Sequence, residues 1–160
     1  MDAPRVYISG PLQAAENLAA ARSFYERLAS ICRNAGAEPY LPHQRTDPAL
    51  HRDVQPIHVF RRDCQAIQRC DLLVAHIGPP SSGVGAELGL ALAAKQPIVA
   101  LHHESERPSR FVLGMLEDYD AAVVISFKDE TTLASSLKKA IRRQLDAMRH
   151  GSRSDLRRIA

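Results

Sequence analysis

One glutamate set among small residues is the sharpest chemical feature of this sequence. Glu87 stands in Ser81-Ser82-Gly83-Val84-Gly85-Ala86-Glu87-Leu88-Gly89, which joins a strongly apolar run to a segment of helical period. Two hydroxyls and the unpaired N–H groups of a helix start make an anion site there, and phosphate is its natural guest. The glycines read GxGxxxG and follow the third strand-like run, so they lack the spacing and the place of a dinucleotide fingerprint. A surface glutamate favoured by the helix dipole is the plainer reading of Glu87. Its company argues for more: Asp63 lies on the preceding helical segment, and Tyr7 lies towards the carboxyl end of the first strand. A carboxylate nucleophile, a group that protonates a leaving base and a donor that holds the nucleophile are what cleavage of a glycosidic bond requires.

The elements that must position these residues alternate between strand and helix. Strands are predicted at Arg5–Ser9, Glu38–Leu41, Asp71–Ile77, Pro97–Leu101 and Ala121–Ser126, and helices at Ala14–Ala35, Pro56–Arg69, Val84–Lys95, Ser109–Glu117 and Thr131–Met148. Leu18, Ala21, Phe24, Tyr25, Leu28 and Ile31 give the first helix an apolar side, with Gly36 as its stop; Ile57, Phe60, Cys64 and Ile67 share a face of the second. Pro42–Pro56, with its prolines and histidines, reads as a surface loop able to fold over a site. Asp71–Ile77 is almost wholly apolar, as a parallel strand covered on both faces should be. The pattern predicts a single α/β domain over residues 1–150, a doubly wound sheet of about five parallel strands of Rossmann-like or flavodoxin-like type, followed by a flexible basic tail over 151–160. Ligands of such sheets bind beyond the carboxyl ends of the strands.

The 160 residues suit one domain, and 45% hydrophobic with 24% charged residues is ordinary for a globular protein. Cys32, Cys64 and Cys70 are odd in number and without CxxC spacing, which reads as reduced thiols. No apolar run approaches the roughly 18 residues of a membrane span, and Met-Asp-Ala-Pro opens no secretory segment, so a cytoplasmic location is expected. The net charge of +3 owes much to the end of the chain, where a solvated helix face explains it better than nucleic-acid binding. His43, His51, His58, His102 and His103 lack metal-ligand spacing, and no GxSxG elbow occurs, so neither a metal nor a cofactor is expected. Asp71 is a competing carboxylate, better suited to fixing a loop at the start of its strand.

Taken in order, Tyr7-Ile8-Ser9-Gly10-Pro11, Asp63 eight residues before Asp71-Leu72-Leu73-Val74-Ala75, and Ser81-x-Gly83-x-Gly85-x-Glu87-Leu88-Gly89 resemble the nucleoside 2-deoxyribosyltransferase superfamily, from about Val6 to Gly114. The resemblance implies a Rossmann-like subunit that dimerises and a retaining mechanism: Glu87 attacks C1′, Tyr7 orients it, and Asp63 assists departure of the base. It further implies substrate contacts at Ser9, Gly10, Ser81, Ser82, Gly83, Gly85 and Ser109, the last contributed by a neighbouring subunit. Relatives acting on free nucleosides carry Asp at the position of Ser81, where a carboxylate would repel a phosphate; the serine therefore resembles the branch of 2′-deoxynucleoside 5′-monophosphate N-glycosidases. Base exchange between deoxynucleosides is the alternative, and a nucleotide-binding sensor without turnover a second one. One departure stands out: relatives of that branch carry an arginine soon after the first strand, whereas this loop reads Gly10-Pro11-Leu12-Gln13-Ala14-Ala15-Glu16.

Overall fold

The computed structural model describes residues 3–12 and 16–157, with side chains through residue 150. Five strands, β1 (Arg5–Ser9), β2 (Glu38–Tyr40), β3 (Leu72–His76), β4 (Ile98–His103) and β5 (Ala122–Phe127), form one parallel sheet in the order β2-β1-β3-β4-β5. This is the flavodoxin-like order, whose direction of winding reverses between β1 and β3. The crevice beyond their carboxyl ends is the place such a sheet offers a ligand.

Side chains alternate across the sheet because successive residues of a strand point to opposite faces. Val6, Ile8, Leu72, Val74, Val99 and Leu101 pack under helices α1 (Leu18–Asn34) and α6 (Glu130–Arg157). Tyr7, Leu73, Ala75, Ile98 and Ala100 pack under α3 (Pro56–Arg69), α4 (Ser82–Ala93) and α5 (Arg110–Glu117). Tyr7 and Ser9, two apart on β1, therefore share the α3 and α4 side.

Several boundaries differ from those read in the sequence. Helix α1 begins at Leu18, where the Asn17 side chain accepts the Ala20 N–H at 2.9 Å; of the expected earlier start, Ala14 and Ala15 lie outside the described residues. Gly36, at φ 88°, ends it in the left-handed region as expected. Helix α4 starts two residues before Val84, because Ser81 caps it, its side-chain oxygen accepting the Val84 N–H at 3.3 Å. The expected loop after β2 contains a one-turn helix, α2 (His43–Thr46), and α6 runs on past Met148 to Arg157.

The face proposed for α3 needs a larger correction. Of Ile57, Phe60, Cys64 and Ile67 only Ile67 is buried, while Ile57 and Phe60 are 48% and 60% exposed. The stripe that matters is Pro56, Val59, Phe60 and Asp63, spaced i, i+3, i+4, i+7, which lines a cavity. An apolar helical period marks a face that leaves bulk water, and here that face is a cavity wall.

Gly10 shows why the turn after β1 needs a glycine. A Cβ there would lie 2.3 Å from ring carbons of Tyr25, whose hydroxyl donates to the Pro11 carbonyl at 2.9 Å and so pins the ring. Gly10→Ala is expected to cost about 1–3 kcal/mol as an overpacked site. A thermal unfolding midpoint equal to that of the unsubstituted protein would contradict this close approach.

Candidate active site

The site forms at the β1/β3 reversal. On α4 the buried residues Val84, Leu88 and Ala91 face the sheet, and Glu87 occupies the i+3 position of that same stripe, so a carboxylate stands where an amphipathic helix would place an apolar side chain. It lies in the second turn, beyond the reach of most of the helix dipole. Its partners come from β1. Tyr7 Oη donates to Glu87 Oε1 at 2.6 Å, and Ser9 Oγ donates to Oε2 through a short contact. Tyr7 and Ser9 are fully buried, and Tyr7 is stacked on Tyr40, ring centroids 5.5 Å apart. Both oxygens of Glu87 are thus fixed by hydroxyls on rigid backbone.

Burial raises the pKa of Glu87 above the usual carboxylate range, while the hydrogen bonds from Ser9 and Tyr7 act against that rise by stabilising its ionised form. Asp63 has less help. Burial first, and the Glu87 charge second, push its pKa up to about 7, with Arg62 pulling the other way. Its buried Oδ1 accepts no hydrogen bond from the described residues. Two neighbouring carboxyls in unequal environments separate their titrations, so the one with two hydroxyl donors ionises first and the other holds its proton up to about pH 7. Tyr7 is held far above the ordinary phenol range by burial and then by the carboxylates, and so remains a donor.

Both carboxyls line a cavity of about 870 Å3, large enough for a nucleotide-sized ligand. Ser81, Ser82 and Gly83 line it at the start of α4. The Ser81 oxygen accepts the Val84 N–H, leaving its own proton to give, and the N–H groups of the first turn have no partner within the helix. Gly10 also lines the cavity. Gly85 and Ser109 do not: a Cβ on Gly85 would meet nothing within 4 Å, and Ser109 is exposed at the start of α5 without a side-chain capping bond. Asp71 is at the opposite end of the sheet, its carboxylate accepting the Arg5 N–H at 2.7 Å, which assigns it to fixing the strand start.

Sequence reasoning gave Ser9 a place against the substrate, and the structure places its hydroxyl on Glu87. The signal was available, because a residue two positions from Tyr7 on a strand must share its face. It missed His43, His51 and Arg52 as cavity residues. His43 opens the one-turn helix α2, and His51 and Arg52 stand on the loop after it, whose path no periodicity predicts.

A flavodoxin-ordered α/β sheet with two carboxyls of separated titration in one cavity, beside a helix start suited to an anion, has the groups that an enzyme cleaving or transferring glycosyl groups needs. Residues 6–123 match the nucleoside 2-deoxyribosyltransferase family, and the chain belongs to it. A Methanosarcina mazei protein provisionally named 2′-deoxynucleoside 5′-phosphate N-hydrolase 1 is 31% identical over 112 residues, 68% of this chain and 67% of that one. A protein of Thermofilum pendens with the same provisional name is 26% identical over 129 residues, 79% of this chain and 88% of its own. Among solved structures, the Clostridium botulinum CMP N-glycosidase BcmB shares the fold with a TM-score of 0.64 at 24% identity, over 83% of this chain and 96% of that one. BlsM shares it with a TM-score of 0.76 at 24% identity, over 92% and 94%.

Proposed function

We propose that the enzyme hydrolyses the N-glycosidic bond of 2′-deoxynucleoside 5′-monophosphates to free base and deoxyribose 5-phosphate, through a glycosyl ester on Glu87. The observation that carries this reading is Glu87 itself, held by Tyr7 and Ser9 in the same cavity as Asp63, whose pKa burial and the Glu87 charge push up to about 7. A carboxylate oxygen of Glu87 attacks C1′ while the C1′–N bond breaks and its electron pair leaves with the base. Asp63 gives its proton to that nitrogen. In the second half, Asp63, now a carboxylate, takes a proton from water as the water attacks C1′, and the ester bond breaks to restore the Glu87 carboxylate. The products differ from the substrate by one water, and both side chains end as they began. The 5′-phosphate is assigned to the start of α4, where Ser81 donates its hydroxyl proton and Ser82 and Gly83 their N–H groups. The names borne by the Methanosarcina and Thermofilum relatives agree with this substrate class.

Ser109 is assigned to the phosphate of a second copy's site, since it is exposed and lies away from the cavity of its own chain. A pairing surface is supported by the outward side of α4, where Ala86, Leu90 and Ala93 are exposed, and by Phe111, 81% exposed on α5. The three cysteines are free thiols, which fits a reducing cytoplasm, and no helix among the described residues is long and apolar enough to cross a membrane.

The test is a panel of deoxynucleosides, their 5′-monophosphates and CMP, with base and sugar product quantified with and without an added acceptor base. A 5′-monophosphate should be preferred over its nucleoside by about a hundredfold in kcat/KM, as two or three charge-assisted hydrogen bonds predict. Ser81→Asp should reverse much of that preference by setting a carboxylate against the phosphate. Preference for the nucleoside, with sugar passing to the acceptor base faster than to water, would replace hydrolysis by base exchange.

A further inference from the structure

We propose that Arg52 is the cation that recognises the anionic 5′ substituent, brought to the cavity on a strap, residues 47–54, pinned by the ion pair of half-buried Arg22 with buried Asp47. The proposal rests on the monophosphate reading and names a cation within the chain's own cavity, where the start of α4 itself offers a dianion only hydroxyls and N–H groups; Arg107 and Arg110, beside Ser109, could add charge only from a second copy. Among the described residues lining the cavity, Arg52 is the one lysine or arginine; the acidic side chains there are Asp63 and Glu87.

The strap is built to carry it. The Asp47 side chain is fully buried and takes Arg22 Nε and Nη2 on its two oxygens, each at 2.6 Å. Its Oδ1 also accepts the N–H groups of Ala49 at 2.8 Å and Leu50 at 3.0 Å. The Asp47 N–H donates to His51 Nδ1 at 3.2 Å, and the His51 N–H returns to the Asp47 carbonyl at 2.8 Å. A further bond from the Val54 N–H to the His51 carbonyl, 3.1 Å, closes the turn on either side of Arg52. These bonds order the backbone before any ligand arrives, which is the part of recognition that costs most when a loop must be fixed on binding.

Within this brace the Arg52 side chain holds nothing. It is exposed, it enters no ion pair among the described residues, and it is bonded to neither cavity carboxyl. Arg22, by contrast, is spent on Asp47. A guanidinium left unpaired on a rigid turn beside two carboxyls is suited to an anion brought in by the ligand, and its planar fork matches phosphate oxygens two at a time.

The experiment compares the unsubstituted protein with Arg52→Gln and Arg52→Lys. It measures kcat/KM for a deoxynucleoside 5′-monophosphate and for its nucleoside, and the calorimetric Kd for deoxyribose 5-phosphate. Arg52→Gln should lower the monophosphate-to-nucleoside ratio about tenfold to a hundredfold, chiefly through KM, and weaken the sugar phosphate by a similar factor. Arg52→Lys should fall between, keeping the charge without the fork. An unchanged ratio and Kd in Arg52→Gln, or an equal loss on both substrates, would overturn the proposal. If the unsubstituted protein shows no preference for the monophosphate, the reading beneath fails by itself. Arg52 is then judged on Kd alone, where weaker binding of deoxyribose 5-phosphate in Arg52→Gln upholds it and an unaltered Kd overturns it.

Discussion

Glu87→Gln and Glu87→Ala are each expected to lower kcat by at least about a thousandfold in a protein that remains folded. Of the described cavity-lining residues, only Asp63 offers a second carboxyl, and it stands on α3 with its pKa pushed up to about 7. The fold should tolerate the loss, because burial raises the pKa of Glu87 and the ionised group therefore costs stability. The sign follows from linkage: a carboxyl whose pKa rises on folding stabilises fully below its unfolded value, and that contribution is lost as the pH climbs through the folded one. At neutral pH the glutamine protein should thus unfold no earlier than the original. Deoxyribose 5-phosphate should still bind, which separates lost chemistry from lost structure. Glu87→Gln with kcat within tenfold of the original would remove the nucleophile from this account.

Asp63→Asn has the second largest expected effect, a loss of about 10² to 10⁴ in kcat/KM, the range for a positioned general acid. With its pKa near 7, Asp63 must be protonated to help the base depart, so activity should fall as the pH rises above about 7. The asparagine protein should lack that limb. A substrate whose base leaves without protonation should lose much less, since it needs no acid. Stability should move the other way. Asp63 rises from 3.8 in the unfolded chain to about 7 when folded, so its neutral form is held at growing cost between those values. The melting temperature of Asp63→Asn should exceed that of the original by an amount that grows from about pH 4 to pH 7 and then levels off. An unaltered pH profile of activity in Asp63→Asn would show that another group supplies the proton.

Much of this arrangement is legible in the amino-acid sequence. Near-continuous apolar runs such as Leu72–His76 located the strands, because a parallel strand under two layers of helix has no polar face to show. Tyr7, Asp63 and Glu87 stood out by residue type and by their places around the first and third strands, and the roles expected of them came from the family resemblance; the adjacency of β1 and β3 that brings Tyr7 to Glu87 belongs to the flavodoxin-like order and not to the Rossmann one. What failed depended on competition between local signals. Serine and glycine are poor helix formers, which hid the first turn of α4 until Ser81 was seen to cap it. Prolines and histidines concealed α2. Ile57 and Phe60 have the helical period of a core face, and periodicity does not separate a core from the wall of a cavity. Arg52 was out of reach because its place depends on the contact between Asp47 and Arg22, 25 residues apart, and no local rule encodes it.

The central claim, covalent capture of the sugar by Glu87, is open to one direct measurement. A 2′-fluoro deoxynucleoside 5′-monophosphate destabilises the electron-poor transition state and slows both half-reactions, so the ester should accumulate. Acid quenching, proteolysis and tandem mass spectrometry should then place the fluorinated sugar phosphate on the peptide carrying Glu87, at that side chain, with one equivalent of base released. Base release with no adduct, or an adduct on Asp63 or any other residue, would contradict the account.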